Sequence, residues 1–137
     1  MTLLLYKLVF IQPQIKLKNM NDFIVVDASR EIYGDPADDI TAMASNYIWF
    51  ALMHKNKFSG PFKELFKIFW NNYIDKTKDN DISKIAPLFF AFRGLVVAHP
   101  LFYKVQTDKT RRKIFNFINN VLEEGAFNRK KIDSYIK

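Results

Sequence analysis

The stretch Phe23-Ile-Val-Val-Asp-Ala-Ser-Arg-Glu-Ile-Tyr-Gly-Asp-Pro-Ala-Asp-Asp-Ile-Thr41 is the part of this chain whose residue order is most specific. Its first four residues are apolar and mostly β-branched, which predicts a short buried strand. The carboxylate of Asp27 follows at the point where this strand ends. A loop then leads to residues typical of a helix start, so the segment predicts a connection from a strand to a helix.

The helix start is predicted by residues 34 to 36, Gly-Asp-Pro. Asp35 can cap a helix, and proline suits the first helical turn. Asp38 and Asp39 then face the positive end of the helix dipole. Capping and dipole interactions therefore explain all three carboxylates, whatever else they do.

Around this segment, the sequence predicts one domain of residues 1–137 that is mainly α within an α+β class. Residues 1–27 form a strand region with a short β-hairpin, because residues 15–18 alternate and residues 19–22 favour a turn. Residues 36–137 form four to five packed helices. Their predicted limits are Pro36 to about Asn56, Pro61 to about Ile74, Ile82 to His99, Asp108 to Glu124, and a short turn from Ile132 to Ile136.

The helices carry apolar residues at intervals of three and four, which predicts a buried face on each. We expect the phenylalanines of these stripes to lie in the core. The predicted core positions are Ile40, Met43, Ala44, Tyr47, Ile48 and Ala51, then Phe62, Leu65, Phe66, Phe69, Trp70 and Tyr73, then Ile114, Phe115, Ile118, Val121 and Leu122.

Arg93 is a lone charge in an apolar run that extends from Ile85 to Ala98. It must either reach water with its guanidinium or pair with a carboxylate. We favour an ion pair with one of the aspartates between residues 35 and 39. The run itself is shorter than the ~20 residues that span a bilayer, so we expect no membrane-spanning segment. We expect a cytoplasmic location.

The composition excludes some functions. The chain has no cysteine, so it has neither a disulfide framework nor thiolate chemistry. Its formal net charge of +7 would fit nucleic acid or phosphate-bearing ligands. However, the basic clusters at 109–113 and 129–131 lack interleaved exposed aromatic residues, so solvated helix faces explain them better than nucleic-acid binding.

A strand-end Asp followed by Gly-Asp-Pro-x-x-Asp resembles the metal-binding segment and first large helix of aminoglycoside phosphotransferases and choline kinases, relatives of the protein kinases. The likeness continues at residues 86–98 and 111–118 and covers roughly residues 14 to 136. It implies that Asp27 holds Mg²⁺ on the phosphates of ATP. It also implies that Asp39 braces the catalytic loop, with Asp35 and Arg93 as further structural support of the site.

The chain departs from this family before the strand. The family's loop reads His-Gly-Asp-x-His-Pro-x-Asn-Ile, but here Gln14-Ile15 stands in place of Asn-Ile and Val9 in place of the catalytic Asp. No Gly-rich loop or strand lysine comes earlier. We therefore expect the helical C-terminal lobe of a small-molecule kinase, cut before or within the catalytic loop. A shifted reading frame or misplaced start codon for residues 1–13 would explain the same departure.

Three functions remain open on this sequence. The first is part of an ATP-dependent phosphotransferase acting on a small-molecule hydroxyl, with no catalytic residue of its own and no expected activity alone. The second is a helical protein-interaction module, and the third is a nucleic-acid-binding domain. Because the apolar residues 3–5 and 9–11 have little of this chain to cover them, we also expect self-association or a separately encoded nucleotide-binding lobe as partner.

Overall fold

The computed structural model describes residues 15–17, 23–25 and 34–137, and the protein is mainly helical. Its elements are β1 (Ile15–Leu17), β2 (Phe23–Val25), α1 (Pro36–Lys55), α2 (Pro61–Thr77), α3 (Ile82–Ala98), α4 (Asp108–Glu124), a 3-10 turn (Arg129–Lys131) and α5 (Ile132–Tyr135). Residues 34–137 contain five α-helices, which confirms the four to five predicted for this part of the chain. β1 and β2 pair antiparallel, but the rest of the predicted hairpin and Asp27 lie outside the described residues.

Local chemistry sets the ends of α1. The Asp35 side chain accepts a hydrogen bond from the N–H of Ala37 at 2.9 Å, so it caps the helix as predicted. Pro36 takes the first helical position. At the other end, Asn56 adopts a left-handed conformation with φ 48°, and its N–H donates to the carbonyl of Leu52.

The other long helices end by similar means. Thr107 accepts a hydrogen bond from the N–H of Thr110 at the start of α4, and Gly125 follows its end with φ 71°. Pro61 begins α2 after Gly60, as expected. α2 continues to Thr77, three residues beyond its predicted limit, and closes on Lys78 in a left-handed conformation with φ 58°. The predicted bounds of α3 and α4 are confirmed.

Pro87 within α3 has a structural consequence. Proline has no N–H, so the carbonyl four residues earlier, that of Ser83, loses its helical partner. The N–H of Phe127 donates to this carbonyl instead, at 2.6 Å. The chain after α4 is therefore held against α3 by a main-chain hydrogen bond.

The core is built around α1, which packs against α2 and α3, while α4 packs against α3. Aromatic rings fill the space where α2, α3, α4 and the C-terminal segment meet. The Phe127 ring centroid lies 4.9 Å from that of Trp70 and 4.8 Å from that of Phe90. The neighbouring rings of this cluster are Phe66, Phe117 and Tyr135.

Some predicted core positions are wrong. Leu65, Phe115 and Leu122 are each more than 40% exposed. The buried face of α4 is rotated from the predicted one, because Phe117 turns inward to meet Phe90 with ring centroids 5.2 Å apart. Five further members of the predicted stripes are only partly buried: Ile40, Met43, Tyr47, Phe69 and Tyr73.

Within the part of the chain that the structure describes, no helix has both the length and the apolar character needed to cross a membrane.

Gly94 allows α3 and α4 to approach closely. A Cβ at this position would lie 2.6 Å from Cδ1 and 2.8 Å from Cγ1 of Ile118 on α4. Both residues are buried, so little space exists for the Ile118 side chain to move. The absence of a side chain at residue 94 therefore sets the distance between the two helices.

Gly94→Ala and Ile118→Ala should compensate each other. Alanine at residue 118 lacks both Cδ1 and Cγ1, the two atoms that a Cβ at residue 94 would meet most closely, so the double variant avoids the overlap that Gly94→Ala creates alone. We expect a favourable coupling free energy of about 1 kcal/mol or more in a double-mutant cycle measured by urea unfolding. Additive effects would show that α4 shifts freely away from α3.

Candidate functional site

The start of α1 carries the carboxylates that the sequence singled out. Asp35 is exposed and caps the helix, and Asp39 is exposed on its first turn. Asp38 is half-buried and faces α3. Capping and dipole interactions therefore account for Asp35 and Asp39 in this structure.

Arg93 joins this helix start to the middle of α3. Its side chain is only 7% exposed, and Nε and Nη2 donate to one carboxylate oxygen of Asp38 at 3.2 and 2.6 Å. The predicted ion pair with an aspartate of the 35–39 segment is confirmed, and Asp38 is the partner. The guanidinium also lies 5.5 Å from the ring centroid of Phe92.

The metal site implied by the kinase resemblance stays a prediction, because Asp27 lies outside the described residues. Among the residues that the structure does describe, no three His, Cys, Asp or Glu side chains cluster closely enough to hold a metal ion. The bracing role of Asp39 also stays a prediction, since its proposed partner loop precedes residue 34.

Among the described helices, α3 carries the largest number of exposed large apolar side chains. Ile85, Leu88, Phe92 and Leu95 are 36, 68, 57 and 55% exposed. We call these four residues the α3 seam. They follow one another at intervals of three, four and three residues and so lie along one side of the helix.

The apolar surface continues past the end of α3. His99 occupies the next position along the seam, and its ring centroid lies 4.9 Å from that of Phe102. Leu101, Phe102 and Val105 are 72, 69 and 79% exposed. These three residues belong to the loop of residues 99–107, which we call the seam loop.

Hydrogen bonds hold the seam loop in place. Arg111 of α4 donates to the carbonyls of Ala98 and Tyr103, the latter at 2.8 Å. The side-chain amide of Gln106 donates to the carbonyl of Val97 at 2.5 Å. The loop therefore presents its apolar side chains from a fixed backbone. The basic cluster at residues 109–113 was expected to be a solvated helix face. Arg111 differs from this expectation because its guanidinium binds main-chain carbonyls of the seam loop region.

The space inside the helical core is too small for a substrate. A cavity of about 20 Å³ lies between α1, α3 and α4, lined mainly by apolar side chains such as Ile48, Val97 and Phe117. Within the described residues, Ser45 Oγ and Trp49 Nε1 beside it have no hydrogen-bond partner. This volume suits a single water molecule.

An open groove of about 470 Å³ lies beside the 3-10 turn and includes Glu124. Glu124 accepts hydrogen bonds from Lys131 and from the Tyr135 hydroxyl, both at 2.8 Å. The Lys131 ammonium, and next the Tyr135 hydroxyl, lower the pKa of the Glu124 carboxyl. Burial, and then Glu124, raise the pKa of Tyr135 to about 12. Glu124 is thus an ionised structural acceptor, poorly suited to act as a general base near neutral pH.

Comparison of the chain with protein-family models, with curated proteins and with solved structures finds no match. The kinase resemblance therefore rests on the quoted sequence segments alone. Within the described residues, the α3 seam with its adjoining loop is the most distinctive part of the surface.

The ion pair should contribute measurably to stability. In a double-mutant cycle of Asp38→Ala and Arg93→Ala, we expect a coupling free energy of about 1–3 kcal/mol, reduced from a fully buried pair because the Asp38 side chain is 28% exposed. The exposed pair Lys84 and Asp81 is the matched control, and its coupling should be much smaller because solvent screens the two charges. Equal couplings in the two cycles would contradict a special role for Arg93.

Proposed function

We propose that this chain is a helical protein-interaction module that binds an apolar helix on the α3 seam. The observation that carries this proposal is that α3 is apolar on opposite sides. One side, which includes Phe90 and Val97, is buried in the core, and the other side is the exposed seam. A helix that is apolar all round is normally buried all round.

The geometry of the seam favours a helix as the bound element. Residues at alternating intervals of three and four form the contact line of two helices that cross at about 20°. Polar residues mark the two ends of this line, since Lys84 lies at one end and His99 at the other. An extended strand would match only every second residue and would not follow this line.

The free energy available from the seam is substantial. Full burial of one Leu, Ile or Phe side chain contributes about 1.5–3 kcal/mol. The four seam residues are on average about half exposed, so closing the seam recovers part of this free energy at each position. The fixed backbone of the seam loop adds apolar area at little further cost in ordering.

A zwitterionic amphipathic peptide with leucine at its contact positions is a direct probe of this module. Fluorescence anisotropy should show micromolar binding of the labelled peptide. Leu88→Glu with Leu95→Glu should weaken it at least tenfold, because two charges would enter an apolar contact.

The chain offers a matched control for that measurement. Leu65→Glu with Ile68→Glu places the same two charges on α2, at residues that are 41 and 57% exposed. This control should leave peptide binding within twofold of the unchanged protein. If both double variants weaken binding equally, or if the peptide does not bind, the seam is not a helix-binding surface.

The kinase resemblance supports a second candidate function. In it, this chain supplies the acceptor-side helices of a phosphotransferase, and a nucleotide-binding lobe supplies ATP and the general base. The observation in its favour is the start of α1, which the Asp35 cap and the Asp38–Arg93 pair hold in place and which follows Asp27 in the sequence. Asp27 would bind Mg²⁺, as the resemblance implies.

A chimera tests this second candidate. The nucleotide lobe and catalytic loop of a related phosphotransferase, ending in its own Asn, would replace residues 1–14. We expect detectable ATP turnover that falls by orders of magnitude on Asp27→Asn, because an amide cannot supply the carboxylate charge to Mg²⁺. The 137-residue chain alone should not phosphorylate aminoglycosides, choline or sugars. Chimera turnover that is indifferent to Asp27→Asn would contradict the proposed metal site.

A further inference from the structure

We infer that the helix bound by the α3 seam is α3 of a second copy of this chain, packed antiparallel about a twofold axis. This inference rests on the proposed interaction function and names its partner. Three features of the described surface carry it: the spacing of the seam, its lack of charge, and its extent.

The spacing of the seam is the same in both directions. The intervals of three, four and three residues between Ile85, Leu88, Phe92 and Leu95 form a palindrome. In an antiparallel pair centred between Leu88 and Phe92, Ile85 lies opposite Leu95 of the second copy, and Leu88 lies opposite Phe92 of the second copy. A twofold interface requires this kind of self-complementary surface.

The same register brings polar groups together at both ends. His99 of one copy then lies at the level of Asp81 of the second copy, since both are one seam position beyond the apolar residues. A carboxylate beside an imidazole is a favourable neighbour in either protonation state of the imidazole. The ends of the pair therefore add no repulsion between the copies.

The lack of charge on the seam matters because each copy carries a formal net charge of +7. Like charges at an interface oppose association, so a neutral face favours contact between two copies. Between Ile85 and Ala98, Arg93 is the single charged residue, and it turns inward to Asp38. In contrast, α2 carries Lys63, Glu64, Lys67, Asp75 and Lys76, and α4 is similarly charged.

The extent of the patch favours a covered surface over a bare one. The seam and the seam loop together have seven large apolar side chains that are 36 to 79% exposed. A monomer rarely leaves an apolar patch of more than a few hundred Å² uncovered. The four seam residues form the contact line of the pair, and the seam loop extends the apolar surface beyond its ends.

Sedimentation velocity from low to high micromolar concentration tests the inference. We expect a dimer for the unchanged protein and for the Leu65→Glu, Ile68→Glu control, and a monomer for Leu88→Glu with Leu95→Glu. Thermal unfolding followed by circular dichroism shows that each variant folds. Phe92→Asp, a single change at the centre of the seam, provides a second disrupting variant if the double variant does not fold.

Cysteine pairing tests the orientation, because the chain contains no natural cysteine. Ile85→Cys and mass-tagged Leu95→Cys are mixed and oxidised. The antiparallel register predicts disulfides between residue 85 of one copy and residue 95 of the other. These residues are ten apart, or about 15 Å along a helix, so a parallel pair would instead form 85–85 and 95–95 disulfides.

The outcomes separate this inference from the proposed function. A dimer with 85–95 disulfides supports both. A dimer that survives the seam variants, or one with 85–85 and 95–95 disulfides, overturns the antiparallel seam. If the protein is a monomer that still binds the amphipathic peptide, the proposed dimer is wrong but the proposed helix-binding function stands. A monomer that does not bind the peptide overturns both.

Discussion

The hydrogen bond from the N–H of Phe127 to the carbonyl of Ser83 is the constraint on which the arrangement of the helices depends. Pro87 frees that carbonyl, and the bond directs the chain after α4 back across α3. The Phe127 ring then lies between Trp70 and Phe90, so the C-terminal segment joins α2 to α3. The inner face of α3 is covered in this way. The remaining apolar residues of α3 therefore point outward.

The ends of the helices could be predicted because they depend on short sequences, whereas their buried faces could not. Asp35, Thr107 and Gly125 act at the helix ends regardless of what lies further away. A stripe such as that on α4 is compatible with several rotations of the helix. Phe117 is buried and Phe115 is exposed because Phe90 and Tyr135 lie on the side of Phe117, and that neighbourhood arises from contacts distant in sequence.

The candidate site shows the same division. An ion pair for Arg93 could be predicted, since an isolated charge in an apolar run needs a partner. The choice of Asp38 among three nearby aspartates depends on how α1 crosses α3, so it required the structure. The α3 seam was missed because an apolar run of 14 residues predicts burial on all sides and gives no sign of which side lacks a neighbour. The metal role of Asp27 lies beyond the described residues.

The ion pair and the seam are physically connected. Arg93 and Phe92 are adjacent in sequence, and the guanidinium lies 5.5 Å from the Phe92 ring, so an Arg93 without Asp38 could turn toward the seam. In the proposed dimer, it would then place a positive charge between two copies of a chain with a formal net charge of +7. Asp38 thus both braces the start of α1 and keeps the one charged side chain of the run away from the proposed contact surface. Asp38 is not among the residues that the kinase resemblance assigns to the site, yet through Arg93 it helps to keep the outer face of α3 free of charge.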